Sequence, residues 1–153
     1  MNKQSAGVLL YRKSGKQIEV FLVHPGGPFY KNKDLGSWSI PKGEFLADEE
    51  PFTAAKREFE EETGLAIDGN FIELNPVFIK SGKKIFAWAV EGDIDHLNIK
   101  SNFFEMEWPP KSGKTQSFPE IDKGEWFEIA EAKLKINTAQ FGFIEELISL
   151  ISN

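Results

Sequence analysis

Arg57 is followed by Glu58, Phe59, Glu60, Glu61 and Glu62, four carboxylates in five residues behind one guanidinium. Carboxylates at that density are hard oxygen ligands, suited to Mg²⁺ or Mn²⁺. At about 100° per residue, a helix puts Glu58, Glu61 and Glu62 on one wedge and Phe52, Ala55 and Phe59 on the neighbouring, core-facing one. Glu62 falls about 20° around the helix from Ala55, so it borders the buried side. The ordinary fate of an acidic run is a solvated face. Here Glu58 and Glu62 are like charges at i and i+4, which costs a few tenths of a kcal/mol when exposed and more when partly buried. A divalent cation would offset that repulsion. Arg57, on the flank, carries a planar fork able to hold Glu49 or Glu61 in place, the ordinary alternative being a simple helix salt bridge.

The element that must carry these groups is marked at both ends. Pro51 suits a first helical position, and Asp48, Glu49 and Glu50 suit the positive N-terminus. Gly64 stands where a left-handed C-terminal residue is required, which predicts a helix over 51–63. Taken whole, residues 43–65 read Gly43, five residues, Glu49, seven residues, then Arg57-Glu58-Phe59-Glu60-Glu61-Glu62-Thr63-Gly64-Leu65. This run resembles the Nudix box at every fixed position.

The resemblance implies an α/β fold, the Nudix-type α/β/α sandwich with a mixed β-sheet packed between helices. It implies a metal-dependent pyrophosphohydrolase that cleaves a diphosphate linkage in a nucleoside diphosphate derivative by water attack on phosphorus. On that resemblance Glu58, Glu61 and Glu62 hold Mg²⁺ or Mn²⁺ with the main-chain carbonyl of Lys42, while Glu49 and Arg57 orient the catalytic set. Metal chemistry of this kind lowers the pKa of bound water and neutralises phosphate oxygens, and a carboxylate positions or deprotonates the attacking water. Families with this box differ in which carboxylate is the base. Glu105, Glu107, Glu120 and Asp122 are candidates for that part or for a further metal ligand, each against the alternative of a surface acid. Glu107 and Glu120 lead because each adjoins a proline-containing loop. Two alternative functions are a catalytically silent Nudix-fold nucleotide-binding regulatory module and an RNA 5′-end pyrophosphohydrolase. Loss of a box carboxylate would favour the first, a basic groove the second.

The 153 residues suit a single Nudix domain over 1–153. No cysteine and only two histidines, His24 and His96, exclude disulfides, thiolate nucleophiles and histidine or cysteine metal sites, so metal chemistry must use oxygen. The first residues lack the pattern of a signal peptide and no run reaches membrane-span length, so a cytoplasmic protein that does not engage membranes is expected. A net charge of −6 argues against general nucleic-acid binding. A small-molecule nucleotide or dinucleotide substrate is expected, with the chain a monomer or homodimer.

Around the box, alternation predicts strands over 5–12, 18–24, 36–40 and 101–108, a hairpin of 71–80 with 83–90, a loop over 109–119 and a strand over 125–129. A terminal helix follows, with Asn137 and Gln140 at capping-box spacing and an apolar face of Phe141, Ile144, Leu147, Ile148 and Ile151. Gly113-Lys114-Thr115 is not a phosphate-binding P-loop, because Trp108 occupies the position of that motif's first glycine. Lys111 and Lys114 are candidates to reach a polyphosphate, against solubilising loop charges. Phe29, Tyr30, Trp38, Phe103 and Phe104 are candidates to stack on a base, with core packing the alternative for each.

The lead-in Trp38-Ser39-Ile40-Pro41-Lys42-Gly43 is similar to one seen in dinucleoside polyphosphate hydrolases of the family, which makes Trp38 and Lys42 candidate substrate-binding residues alongside Glu107 and Glu120. Residues 81–83, Ser-Gly-Lys, lack the tyrosine that marks that branch, and Pro76 lies too early to be the proline that marks ADP-ribose hydrolases. The resemblance therefore leaves the branch open, with dinucleoside polyphosphates and nucleoside triphosphates foremost.

Overall fold

The computed structural model describes residues 4–151. The elements in chain order are β1 (Gln4–Ser14), β2 (Gln17–Pro25), β3 (Lys42–Phe45), α1 (Pro51–Thr63), β4 (Ile72–Glu73), β5 (Val77–Phe78), β6 (Lys84–Glu91), β7 (Phe103–Glu107), β8 (Thr115–Pro119), β9 (Ile121–Glu128), α2 (Ile129–Lys135) and α3 (Phe141–Ile151). Among these described residues no helix is long and apolar enough to cross a membrane.

β1 organises the main sheet because apolar residues line both of its faces. Ala6, Val8 and Leu10 point to one side, where they pack with Phe21, Val23 and the α1 residues Ala54, Ala55 and Phe59. Leu9 and Tyr11 point to the other, against Ile85, Ala87 and Ala89 of β6 and Phe143, Ile144 and Leu147 of α3. A strand covered on both faces reads as a continuous apolar run, as β1 does. The sheet runs β4-β6-β1-β2-β9, with β1 and β6 parallel. This is the expected mixed sheet between helices, α1 on one face and α2 with α3 on the other.

β1 and β2 pair only at their hairpin end, from Tyr11 opposite Val20 to Ser14 opposite Gln17. Farther along, the same edge of β1 pairs with β3, Gln4 opposite Phe45 and Gly7 opposite Lys42. The segment before β3 fills the gap. Val8 donates its N–H to the Pro41 carbonyl at 3.1 Å, while Val23 and Ser39 exchange both backbone bonds at 2.8 and 3.0 Å. The expected strand over 36–40 is therefore only isolated bridges, Val23 with Ser39 and Trp38 with Ile136, and the strand proper starts at Lys42. A wedge between parting strands satisfies its backbone on two sides without continuous pairing.

Other differences have similar local causes. The expected strand over 71–80 is split into β4 and β5, each two residues long, with Pro76 between them unable to donate to the ladder. Half of the expected 109–119 loop is β8, which pairs with β7 in a separate two-stranded sheet. The expected 101–108 strand is the shorter β7, and the expected 125–129 strand is β9, which begins at Ile121 and ends at Glu128. An additional short helix, α2, follows it directly.

Asn137 accepts the Gln140 N–H at 3.2 Å, as a cap should, but the Gln140 side chain turns to the 39–40 segment instead of back to Asn137. α1 matches its expected bounds, and Gly64 ends it at φ 76° with its N–H on the Glu60 carbonyl. A β-carbon on Gly64 would also stand 2.8 Å from the Lys100 carbonyl oxygen. Gly64→Ala should therefore cost about 1–3 kcal/mol in urea unfolding.

Candidate active site

The carboxylates of α1 meet the sheet at β3. Glu58 is 8% exposed and lies over Gly43, where a β-carbon would stand 1.9 Å from its Oε2. The glycine is needed for space, since any side chain would displace the carboxylate. One turn on, Glu62 accepts the Lys42 N–H at 3.0 Å, so the same short strand anchors two of the helix glutamates.

Arg57 gathers the others. Its Nε and Nη2 donate to the two oxygens of Glu49, both at 2.8 Å, and its Nη1 donates to Glu58 at 3.2 Å and Glu61 at 3.1 Å. The planar fork allows this double grip on one side while the third nitrogen reaches elsewhere. The hydrogen bonds from Arg57 hold the Glu49 carboxyl below its ordinary range, and those same carboxylates hold the Arg57 guanidinium above its own. Burial and then the charge of Glu61 push Glu58 up to about 7. Burial pushes Glu62 up to about 8, against the opposing pull of the Lys42 N–H and ammonium.

Glu120, between β8 and β9, reaches the same place. Asn102 donates its N–H to the Glu61 carbonyl at 3.2 Å, Glu120 donates to the Asn102 carbonyl at 2.8 Å, and Gly26 donates to the Glu120 carbonyl at 2.9 Å. That backbone chain fixes Glu120 beside the last turn of α1. A cavity of about 150 Å³ results, lined by Val23, Pro25, Ser39, Lys42, Glu62, Glu120 and Ile121. Burial and the charge of Glu61 raise the Glu120 carboxyl above its usual range, and burial lowers the Lys42 ammonium.

The structure thus brings together Glu49, Arg57, Glu58 and Glu61 around the guanidinium, and Lys42, Glu62 and Glu120 around the cavity. Two of the four candidate substrate-binding residues, Trp38 and Glu107, fall elsewhere. Trp38 is 1% exposed, edge-on to Phe127 and His24 at ring separations of 4.9 and 5.2 Å, with its Nε1–H donated to Asp34. A ring so enclosed offers no face to a substrate, and Trp38 is a core residue. Glu107 accepts the N–H groups of Lys111 and Gly113, each at 3.1 Å, and so braces the β7–β8 turn instead of lining the cavity.

Gln140 is the residue whose part the sequence hid. Fully buried, it accepts the Ile40 N–H at 3.0 Å and donates to Ser39 Oγ at 3.0 Å, pinning the wedge that leads into β3. Its only signal in the sequence, spacing from Asn137, points to helix capping.

The donor set suits a hard divalent cation: every candidate ligand is oxygen, and burial raises the Glu58 and Glu62 carboxyls, a cost that an added positive charge would offset. Among the described residues no three acidic or histidine side chains already form a ligand group. Glu58 and Glu61 are turned to Arg57, and Glu62 to Lys42. The residues fit the ion in chemistry and neighbourhood.

A family model described as the NUDIX domain matches residues 1–147 of this chain. The chain belongs to the Nudix family. Members of the family are hydrolases acting on phosphorus-containing anhydrides. Nudix hydrolase 7 of Arabidopsis thaliana is 30% identical over 113 residues, a stretch covering 69% of this chain and 38% of that protein. The matched stretch therefore spans well under half the length of that relative. Among solved Nudix structures, a C. elegans Ap4A hydrolase binary complex superposes with a TM-score of 0.67 at 18% identity, covering 97% of this chain and 98% of that one. The NUDIX domain of Shewanella oneidensis NrtR, complexed with ADP ribose, gives 0.66 at 16% identity, covering 99% and 89%. These likenesses show the Nudix fold.

Replacing Gln140 by leucine leaves the buried Ile40 N–H without its acceptor. Gln140→Leu should lose about 1–3 kcal/mol in denaturant unfolding.

Proposed function

We propose that this chain is a metal-dependent Nudix pyrophosphohydrolase cleaving a diphosphate linkage in a nucleoside diphosphate derivative by attack of water on phosphorus. The observation that carries the reading is the set of Glu58, Glu61 and Glu62 on one half-buried helix face, pressed against Gly43 and Lys42 and steadied by Arg57. Glu58, Glu61 and Glu62 would hold Mg²⁺ or Mn²⁺, with the Lys42 carbonyl as a main-chain ligand. When bound, such an ion supplies a water of lowered pKa and neutralises charge on the phosphate oxygens.

The chain's own residues do the rest. Arg57 and Glu49 keep the helix carboxylates in register. Glu120, across the cavity from Glu62, is placed to orient the attacking water or accept its proton. Lys42 lines the same cavity, where a phosphate near its ammonium would restore the charge that burial disfavours. Dinucleoside polyphosphates and nucleoside triphosphates head the substrates, acting on a cytoplasmic pool.

Product release across dinucleoside polyphosphates, nucleoside triphosphates, ADP-ribose and nucleotide sugars, with Mg²⁺ or Mn²⁺ and then with EDTA, tests the reading. One preferred, metal-dependent substrate is expected. Glu61→Gln and Glu62→Gln should each lower kcat by about 10²–10⁴-fold with circular dichroism unchanged; full activity in both would sink the assignment. Gly43→Ala drives the Glu58 carboxylate from its seat, and calorimetric Mn²⁺ titration should show affinity falling about 10–100-fold, the range typical when support for a ligand is lost.

A further inference from the structure

Two segments leave the cavity walls side by side. One continues from Pro25 through Gly26 and Gly27 to Phe29; the other is the β7–β8 hairpin, which ends at Glu120. They stay in contact along their length. Gly26 lies against the Pro119 carbonyl, Gly27 lies against the Phe104 ring, and Phe29 meets Trp108 at a ring separation of 5.5 Å.

The last contact is the unusual one. Phe29 and Trp108 stand at 82°, edge to face, forming a corner instead of a closed stack, and Phe29 remains 60% exposed. A phenyl ring held in water beside a tryptophan gains little from the fold, yet it is what a planar aromatic ligand would use. Trp108 is held in the hairpin by donating its N–H to the Lys114 carbonyl at 2.9 Å, so its ring stands as a fixed wall beside Phe29.

We propose that Phe29 and Trp108 form a base-binding corner, taking the nucleobase of a nucleoside diphosphate derivative whose phosphates extend toward Lys42, Glu62 and Glu120. The inference rests on the pyrophosphohydrolase reading for the position of those phosphates. It assigns to the two segments the selection of aromatic-bearing diphosphates over bare ones.

Binding of ADP and of inorganic pyrophosphate, measured by calorimetry in Mg²⁺, separates the base from the diphosphate. Wild-type protein should bind ADP more tightly than pyrophosphate. Phe29→Leu and Trp108→Leu should each weaken ADP by about tenfold, in line with loss of base stacking, and leave pyrophosphate unchanged. Phe29→Tyr, which keeps an aromatic face, should retain ADP affinity. Equal weakening of both ligands, unchanged ADP affinity in both leucine variants, or no binding of ADP by the wild type would overturn the corner. If the wild type shows the base-dependent pattern but cleaves no member of the substrate panel, the catalytic reading fails and the corner stands. If it cleaves its substrate while the variants match it in ADP affinity, the corner fails and the catalytic reading stands.

Discussion

One guanidinium holds together three of the carboxylates at the acidic face of α1. Glu49, Glu58 and Glu61 all reach Arg57, and without that charge three carboxylates would crowd a half-buried surface with nothing to neutralise them. For Glu58, burial and then the charge of Glu61 disfavour the charged form. Arg57 answers part of the demand and Gly43 makes the geometry possible by letting Glu58 lie on bare backbone. Gly43 in turn is where it is because β3 pairs with the outer half of β1, and β3 is reached only through the wedge at 39–41. The parting of β1 from β2 is therefore part of the site as much as the glutamates are.

What could be read from the sequence follows the range of the interactions involved. α1 was legible to the residue because Pro51, Gly64 and the apolar spacing all act within the helix itself. The box glutamates were legible for the same reason, and Glu120 only as one of several loop acids. β8 has few apolar residues and exists because β7 lies beside it, so its own composition reads as loop. α2 spans only Ile129–Lys135 and buries just Ala132, too short for periodicity to declare it. The enclosure of Trp38 and the task of the Gln140 side chain were not legible for a common cause: the partners are distant in sequence, Phe127 for the indole and Ile40 for the amide.

The loop between β2 and the wedge is tied down from behind. His24, 2% exposed, has its ring nitrogens 2.8 Å from Asp122 and 2.6 Å from the Lys33 carbonyl, joining β2, β9 and the loop. Its ring also meets Trp38, whose Nε1–H bonds Asp34 within the same loop. These contacts give the segment that carries Phe29 a fixed base next to Pro25. Aromatic packing below the loop and exposed aromatic surface above it thus have different tasks, although both are rich in the same residue types.

The break at Pro76 has a consequence for how copies of this chain meet in concentrated solution. An open sheet ends in unpaired backbone donors and acceptors that invite another strand. Here the outer side of β6 is covered by two strands of two residues, offset by a proline, and the backbone N–H of Asn75 between them is taken by the Glu146 side chain. The opposite edge, β9, carries Asp122, Lys123, Glu125 and Glu128 along an exposed strand with a register shift near Pro25. Neither border presents the long, flat, uncharged template on which ordered aggregates grow, so edge-to-edge pairing of copies is disfavoured by the sheet margins themselves.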